Sequence, residues 1–578
     1  MINERVIDVR TVIKFIKPYK LIMILALVAK TLASFAELII PSIMATIIDE
    51  DVPSGEMKNV IVSGGVMLLF SLLTFGFNIL GNRAAARGSA YVAYDLRKAL
   101  FKSTAHLDTE ATDRIGLPSL TSRLTTDTYN ITSFMARMLR IGVKAPLTLI
   151  GGIVITLVID WRLALILVAI LPLVSLTVYI VTKKSIPIYR EEQEILDSLV
   201  RRIDETHSGV RVIKALSKTD YEKARFHETS NALARKEIQA GRLVSLTKPI
   251  NDLLFYFGFC FVIILGAFLA SRYNFDAVGK LLAFMTYFTV ILNSMIMMTR
   301  IFIQASRSFA SAARIEEVLN AERKLNLENS PQKENESFIV FDDVSFSYNK
   351  TSPNLEHVSF TLEKGQTLGI IGVTGSGKTT LINLLMRLYD PDSGEIRIDG
   401  RSLKSIPVEE LHSMFGIAFQ NDFVFQGTVR DNVGFFRETD DGELSAALDT
   451  ARAKGFVFTN EEGLDGHVTT GGTNISGGQK QRLTVARAVL KKSKILILDD
   501  ASSALDYKTD KELRASIRNN IKTTAVIVAQ RVSSVKSADK ILVIDEGRIV
   551  ASGTHAELLL TSSDYKEMAI LQMGGDLV

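Results

Sequence analysis

A single cysteine, Cys260, stands among 578 residues. It can neither close a disulfide within the chain nor help build a cysteine-based metal site. Its neighbours Phe257, Phe259 and Phe261 give it the setting of a buried small hydrophobe. An excess of one charge is lacking too, since 67 Lys and Arg against 63 Asp and Glu leave a net +4. No long basic tract appears, so nothing points to nucleic acid as a partner. Apolar residues are plentiful at 47%, but their long runs fill the first half and are missing from the second. A chain of this length exceeds one ordinary core, and two or more domains are expected.

Six apolar stretches reach the roughly 20 residues that a bilayer requires. They fall near Leu21–Ile48, Val60–Leu80, Ile141–Ile159, Leu163–Val181, Leu253–Ala270 and Leu281–Ile303. Only Asp160, Trp161 and Arg162 separate the third from the fourth, which predicts a tight turn with an interfacial tryptophan. Long charged segments of helical period follow the second and fourth stretches. They hold Arg83, Arg87, Arg97, Lys98, Lys102, Arg114, Lys183, Lys184, Arg201 and Arg202. Connections on the other side are short and poor in cations, so the long segments, the N-terminus and the C-terminal half are expected in the cytosol. Turns are expected near Asp113–Ser119 and Lys218–Arg225. Such segments suit either transmission of motion or a passive tether. Residues 1–20 read as a short basic amphipathic helix on the membrane surface rather than a signal peptide.

Within the spans, Lys30, Glu37 and Lys144 are costly at membrane depth. Glu37 suits a cationic ligand, a proton, or simple pairing with a neighbour. Phe255, Tyr256, Phe259, Met285, Tyr287, Phe288, Met295, Met297 and Met298 suit either a soft apolar pocket or ordinary helix packing. The polar segment Leu319–Ser337 marks the boundary between residues 1–325 and 326–578.

The second half is organised around Gly372, Val373, Thr374, Gly375, Ser376, Gly377, Lys378, Thr379 and Thr380. They fit G-x-x-x-x-G-K-[ST] between an apolar strand and a helix. Backbone N–H groups there can wrap an anion, Lys378 can reach the terminal phosphates, and Thr379 can ligate Mg²⁺. Tyr348, at the end of the strand pattern Phe338–Tyr348, can stack on adenine or serve as an ordinary strand-end aromatic. Ile495–Leu498 is an apolar strand ending in Asp499 and Asp500, where one carboxylate can hold the Mg²⁺ complex and the next can address an attacking water. Ser476, Gly477, Gly478 and Gln479 open another helix, whose N-terminus favours phosphate.

This set resembles the ATP-binding cassette (ABC) transporters, and six spans fused to one cassette resemble their exporter half-transporters. The resemblance covers essentially the whole chain. It implies an α-helical membrane domain with six transmembrane helices, joined to an α/β P-loop nucleotide-binding domain. It further implies that Tyr348 is the adenine-stacking aromatic, Gly372–Thr380 the Walker A loop and Asp499 the Walker B aspartate. Gln420 would link Mg²⁺ to the membrane-domain contact, Ser476–Gln479 would be the signature, and Ala504, Leu505 and Asp506 the loop exchanged across a dimer. ATP and Mg²⁺ are the implied cofactors, and a second half-transporter completes each site.

Three positions depart from the family pattern. Asp500 replaces the glutamate after Walker B, Gln530 replaces the switch histidine, and Thr469–Thr473 lacks the glutamate usual before the signature. Asp is shorter by a methylene, and a misplacement of about 1 Å can cost on the order of a hundredfold in rate. Gln530 lacks an imidazolium charge. Binding is expected to survive on Lys378, Thr379 and Asp499. An intact signature beside weakened catalytic groups implies the degenerate subunit of a heterodimeric exporter in a bacterial cell membrane, of multidrug type, with small hydrophobic substrates. An ATP-gated regulator or channel-like protein, and a homodimeric lipid flippase, share the fold and stay open.

Overall fold

The computed structural model describes residues 10–273, 278–321, 327–328, 331–334, 336–421 and 423–573. It resolves into two compact units, Met1–His106 with Leu117–Asn320, and Leu107–Gly116 with Ala321–Val578. The boundary that composition places at 325/326, and residues 1–9 of the amphipathic segment, lie outside the described residues.

Among the described residues, twelve α-helices precede the second half of the chain, all in the first unit except α4: α1 Arg10–Ile16, α2 Lys20–Thr46, α3 Met57–Ala105, α4 Thr109–Ile115, α5 Leu117–Ser122 and α6 Thr128–Arg137. They continue as α7 Lys144–Ile159, α8 Trp161–Ser208, α9 Val210–Ala215, α10 Thr219–Ser245, α11 Thr247–Tyr273 and α12 Val278–Leu319. Among the described residues, six helical segments are long and apolar enough to cross a membrane: Ile13–Asp51, Met57–Ala105, Leu117–Ile159, Trp161–Ser208, Thr219–Phe268 and Val278–Met298. They contain the first four expected stretches whole and overlap the fifth and sixth as far as Phe268 and Met298.

Small residues let the first two spans approach closely. Ala26 on α2 shares an apolar cluster with Ala84 and Ala85 on α3, while Gly81 and Gly88 on α3 face Lys30 and Met23 on α2. A Cβ at Gly81 would lie 3.1 Å from the Lys30 side chain, so the missing methyl is what admits the lysine stem. The ammonium of Lys30 then donates to Asn78 Oδ1 at 2.7 Å. Glu37 pairs with Lys144 at 2.7 Å, the pairing alternative for that carboxylate. Asp160 caps α8 by accepting from the N–H groups of Arg162 and Leu163, which makes the expected tight turn.

Four readings are refined or corrected. Cys260 is exposed, not buried, because it shares the outer face of α11 with Leu253, Tyr256, Phe257 and Ile264. Tyr287 and Phe288 are buried in helix packing, and Tyr287 hydrogen-bonds Ser42 on α2, so neither lines an open pocket. Phe15, Ile16 and Tyr19, from the amphipathic segment, pack against α2 and α3. The second long-loop reversal falls at residues 209–218, upstream of Lys218–Arg225. Thr219 and Asp220 open α10, where Asp220 and Glu222 suit the positive helix end. The first reversal lies at Gly116, whose φ of +81° ends α4.

A polar ladder fixes the charged part of the third span to α12. Asp127, fully buried, accepts from Arg314 Nε at 2.8 Å and Ser311 Oγ at 2.8 Å. Asn130 donates to Ser311 Oγ at 3.1 Å, and Arg123 donates to Glu317 at 2.7 Å.

In the second unit the strands are β1 Ile339–Phe346, β2 Leu355–Leu362, β3 Thr367–Ile371, β4 Ser393–Ile398, β5 Arg401–Ser402 and β6 Phe415–Ala418. They continue as β7 Gly427–Thr428, β8 His467–Val468, β9 Ile495–Asp499, β10 Thr524–Ala529, β11 Lys540–Asp545 and β12 Arg548–Gly553. A six-stranded sheet runs β12-β11-β3-β10-β9-β6, and a four-stranded antiparallel sheet runs β2-β1-β4-β5. In the larger sheet β11, β3, β10, β9 and β6 are parallel. Their near-continuous apolar runs are what burial on both faces demands. The helix Lys378–Leu385 (α13) shares an apolar cluster with β1 to β4, while the helix Gly477–Leu490 belongs to a separate cluster.

Removing Asp127 strands the Arg314 guanidinium. Asp127→Ala is expected to cost roughly 2 kcal/mol, below the range for a fully buried pair because Arg314 is about half exposed. Asp127→Asn, which keeps an acceptor for Ser311, should cost less. Melting temperatures of the solubilised protein check both.

Candidate functional site

Parallel pairing sets the site. β3 pairs with β10 so that Ile371 faces Ala529, and β10 pairs with β9 so that Val528 faces Asp499. Three loops therefore leave the sheet side by side: one starting at Gly372, one at Asp500 and one at Gln530. The carboxyl ends of parallel strands are where such sheets bind ligands.

The loop from Gly372 is shaped by its glycines. A Cβ on Gly372 would lie 2.1 Å from the Ile544 carbonyl, and Gly377 takes φ +105°. No other residue type fits either place without strain. Val373, Thr374 and Gly375 are exposed at the tip, while Ser376, Lys378 and Thr380 are buried beneath it. Ser376 Oγ is buried without a hydrogen-bond partner among the described residues, a spare group of the kind a phosphate oxygen satisfies. α13 begins at Lys378 with no side-chain cap, so its first N–H groups face the loop as anion donors. The Lys378 ammonium donates to the carbonyls of Gly372 at 3.0 Å and Val373 at 2.7 Å. Burial lowers its pKa, while Asp500 and Asp499 oppose that shift. Thr379 Oγ1 donates to Asp499 Oδ2 at 3.2 Å, placing a hydroxyl and a carboxylate together.

The two acids differ. Asp499 ends β9 and is buried, and desolvation raises its pKa against the hydrogen bond from Thr379. Asp500 has left the strand with φ +49°, a left-handed conformation that Asp tolerates better than most residues. Burial raises its pKa too, opposed by Lys378 and Arg531. Gln530 Nε2 donates to Asp500 Oδ2 at 3.1 Å, so these two side chains engage each other.

Tyr348 lies just beyond β1. Its hydroxyl accepts from Asn383 Nδ2 on α13 at 3.0 Å, and its ring meets Phe346 and Tyr389 edge to face. Gln420 is exposed two residues beyond β6. Ser476 starts its helix with a capping box: Ser476 Oγ accepts from Gln479 N–H, and Gln479 Oε1 accepts from Ser476 N–H. Gly478 packs against the next loop, since a Cβ there would lie 3.1 Å from the Ala504 carbonyl. Gln481 ties the same parts together, accepting from Ala504 N–H and donating to Ser503 Oγ.

One chain thus brings Gly372–Thr380, Asp499, Asp500 and Gln530 together. Among the described residues no hydrogen bond joins Ser476–Gln479 to that group. Sequence reasoning missed Asn383 and Tyr389, which hold Tyr348, and Gln481, which holds the signature loop. No motif spacing marks them, and only folding brings them to their partners.

Comparison with known proteins agrees with this architecture. The ABC transporter transmembrane region matches residues 23–295, and the ABC transporter domain matches residues 355–503. An uncharacterized ABC transporter ATP-binding protein of Mycobacterium tuberculosis is 33% identical over 570 residues, covering 96% of this chain and 97% of its own. An ATP-dependent lipid A-core flippase of Thiobacillus denitrificans is 28% identical over 562 residues, covering 96% and 97%. A bacterial Atm1-family ABC exporter, solved with ATP bound, superposes with a TM-score of 0.78 at 22% identity, covering 97% of this chain and 98% of the other. The chain belongs to the ABC transporter family. It is a multipass membrane protein with the exporter fold, its helical membrane domain fused to an ATP-binding ABC ATPase domain.

Lys378→Ala should weaken ATP binding by roughly tenfold or more, the loss of one charge-assisted contact. The circular dichroism spectrum should not change. Equilibrium binding of a fluorescent ATP analogue provides the measurement.

Proposed function

We propose that this chain is one subunit of an ATP-driven exporter in a bacterial cell membrane. It would move hydrophobic or amphipathic compounds, with multidrug breadth, out of the cytosol or inner leaflet. In this reading Tyr348 stacks on adenine, Gly372–Thr380 cradles the phosphates and Lys378 neutralises them. Thr379, Gln420 and Asp499 would hold Mg²⁺, which supplies charge neutralisation at the phosphates when bound. Their hydroxyl, amide and carboxylate oxygens suit that hard cation, and Thr379 already lies at 3.2 Å from Asp499. Ser476–Gln479 and Ala504–Asp506 would serve the ATP of a second half-transporter.

One observation carries the degenerate-site part: Gln530 donates to Asp500. The two groups that would address an attacking water are turned on each other, while the binding groups stay arranged. An intact capping box at Ser476 beside this pair favours an unlike partner over a second copy. Exposed apolar side chains along the charged parts of α8 to α10 (Leu196, Val200, Ile203, Val212 and Leu216) support a covering partner. The positive-inside rule favours a cytosolic N-terminus and cassette. Glu37, engaged by Lys144, gives less support to a cationic substrate than to a neutral or amphipathic one. A homodimeric lipid flippase is the second reading, favoured by the lipid A-core flippase among the relatives.

The chain purified alone should show little ATP turnover. Asp500→Glu with Gln530→His should raise turnover at this chain's own ATP site in the assembled complex by about tenfold or more, within the roughly hundredfold that a reach error near 1 Å can cost. Brisk ATPase activity by a homodimer of the unaltered chain would overturn the degenerate-site reading.

A further inference from the structure

The loop that carries Gln530 is held at its backbone by a residue more than forty positions downstream in sequence. Gln572 lies in the last turn of the helix Ser563–Met573. Its Nε2 donates to the Gln530 carbonyl at 3.0 Å, and its Oε1 accepts from the Val532 N–H at 2.8 Å. One side-chain amide thus satisfies a carbonyl and an N–H on either side of Arg531, the donor and acceptor that a neighbouring strand would offer. The next residue is tied from another element, since Arg514 donates to the Ser533 carbonyl while it pairs with Asp510. Gln572 supplies the hold between that anchor and the end of β10 at Ala529.

The helix is seated for this task. Tyr565, Ala569 and Gln572 recur at i, i+4 and i+7, a single stripe of the helix. Tyr565 and Ala569 are fully buried in an apolar cluster with Ile371 and Ala529, the residues just before Gly372 and Gln530. The Tyr565 hydroxyl meets His555 Nδ1 at 2.8 Å, which fixes the stripe further. The stripe is therefore rooted under both loops of the site, and its outer end grips one of them. The Gln530 amide, in turn, reaches Asp500 Oδ2 at 3.1 Å from that gripped backbone.

We propose that Gln572 is a positioning residue for this chain's ATP site. By pinning the backbone on both sides of Arg531, it keeps the Gln530 amide at the end of the site where the last phosphate of ATP would lie. This rests on the reading of Gly372–Thr380 as the phosphate cradle, with Asp500 and Gln530 beyond its terminal phosphate. The last helix, remote from every motif in the chain, then sets how well the site tells ATP from ADP.

The test compares ATP and ADP affinities of the full-length chain in lipid nanodiscs, each read by displacement of trinitrophenyl-ATP. Gln572→Ala should lower the preference for ATP over ADP by about fivefold, the scale of one hydrogen bond. ADP affinity should stay within about twofold, whereas a merely structural loss would weaken both nucleotides together. Gln572→Glu keeps an acceptor for Val532 but turns a carboxylate on the Gln530 carbonyl, and should lose at least as much preference. Adding Gln572→Ala to Gln530→Ala should change nothing further, since Gln572 acts through that side chain. Amide hydrogen exchange at Val532 should quicken in Gln572→Ala, with β10 unaffected. An unchanged preference in Gln572→Ala, equal weakening of both nucleotides, or additive losses in the double variant would overturn the proposal. Gln530→Ala separates the two readings. If it leaves the preference unchanged, the placing of Gln530 beside the last phosphate fails. If it lowers the preference while Gln572→Ala does not, only the positioning role of Gln572 fails.

Discussion

The pairing of β3 with β10, and of β10 with β9, is the constraint from which the rest of the cassette follows. Residues 371, 499 and 529 are far apart in the chain, yet two parallel registers bring their strand ends level. A shift of one residue in either register would turn the buried side chains of the strand toward the opposite face. The shift would also carry Asp499 away from Thr379. Apolar burial on both faces of the sheet therefore holds the geometry of a polar site that contributes little to the core itself.

That site is electrostatically uneven. Lys378 is the cation shared by two partly desolvated carboxyls, and each of the three is shifted toward its neutral form by burial. Such a cluster suits a highly charged ligand, because phosphate and an accompanying cation replace the lost hydration with opposite charge. Asp500 differs from its neighbour in backbone as well as environment. Its left-handed φ turns the chain immediately after the strand, toward Gln530.

Inside the spans, the ionisable groups follow the same economy of pairing. Lys30 reaches Asn78 across the gap left by Gly81, and Lys144 reaches Glu37. Nearer the charged ends, Asp127 gathers Arg314 and Ser311. Each pair joins two different helical segments, and unpairing any of them at low dielectric is costly. Polar contacts of this kind fix which helices pack together, a task that lipid-like apolar surfaces perform poorly.

Six spans, the turn at Asp160–Arg162, the phosphate loop and the strand ending in Asp499 were all legible in the chain alone. Each is a local property: an apolar run long enough for a bilayer, a helix cap, or glycines where a Cβ cannot fit. Tertiary structure decided the rest, because burial and partnership depend on residues far away. Cys260 has apolar neighbours on every side in sequence but lies on the outward face of its helix. Glu37 is read alone as a lone acid, and only folding supplies Lys144. Tyr389 carries no motif at all, and becomes visible only where a sheet, a helix and a distant loop place Tyr348 on one side of it and Asp113 on the other.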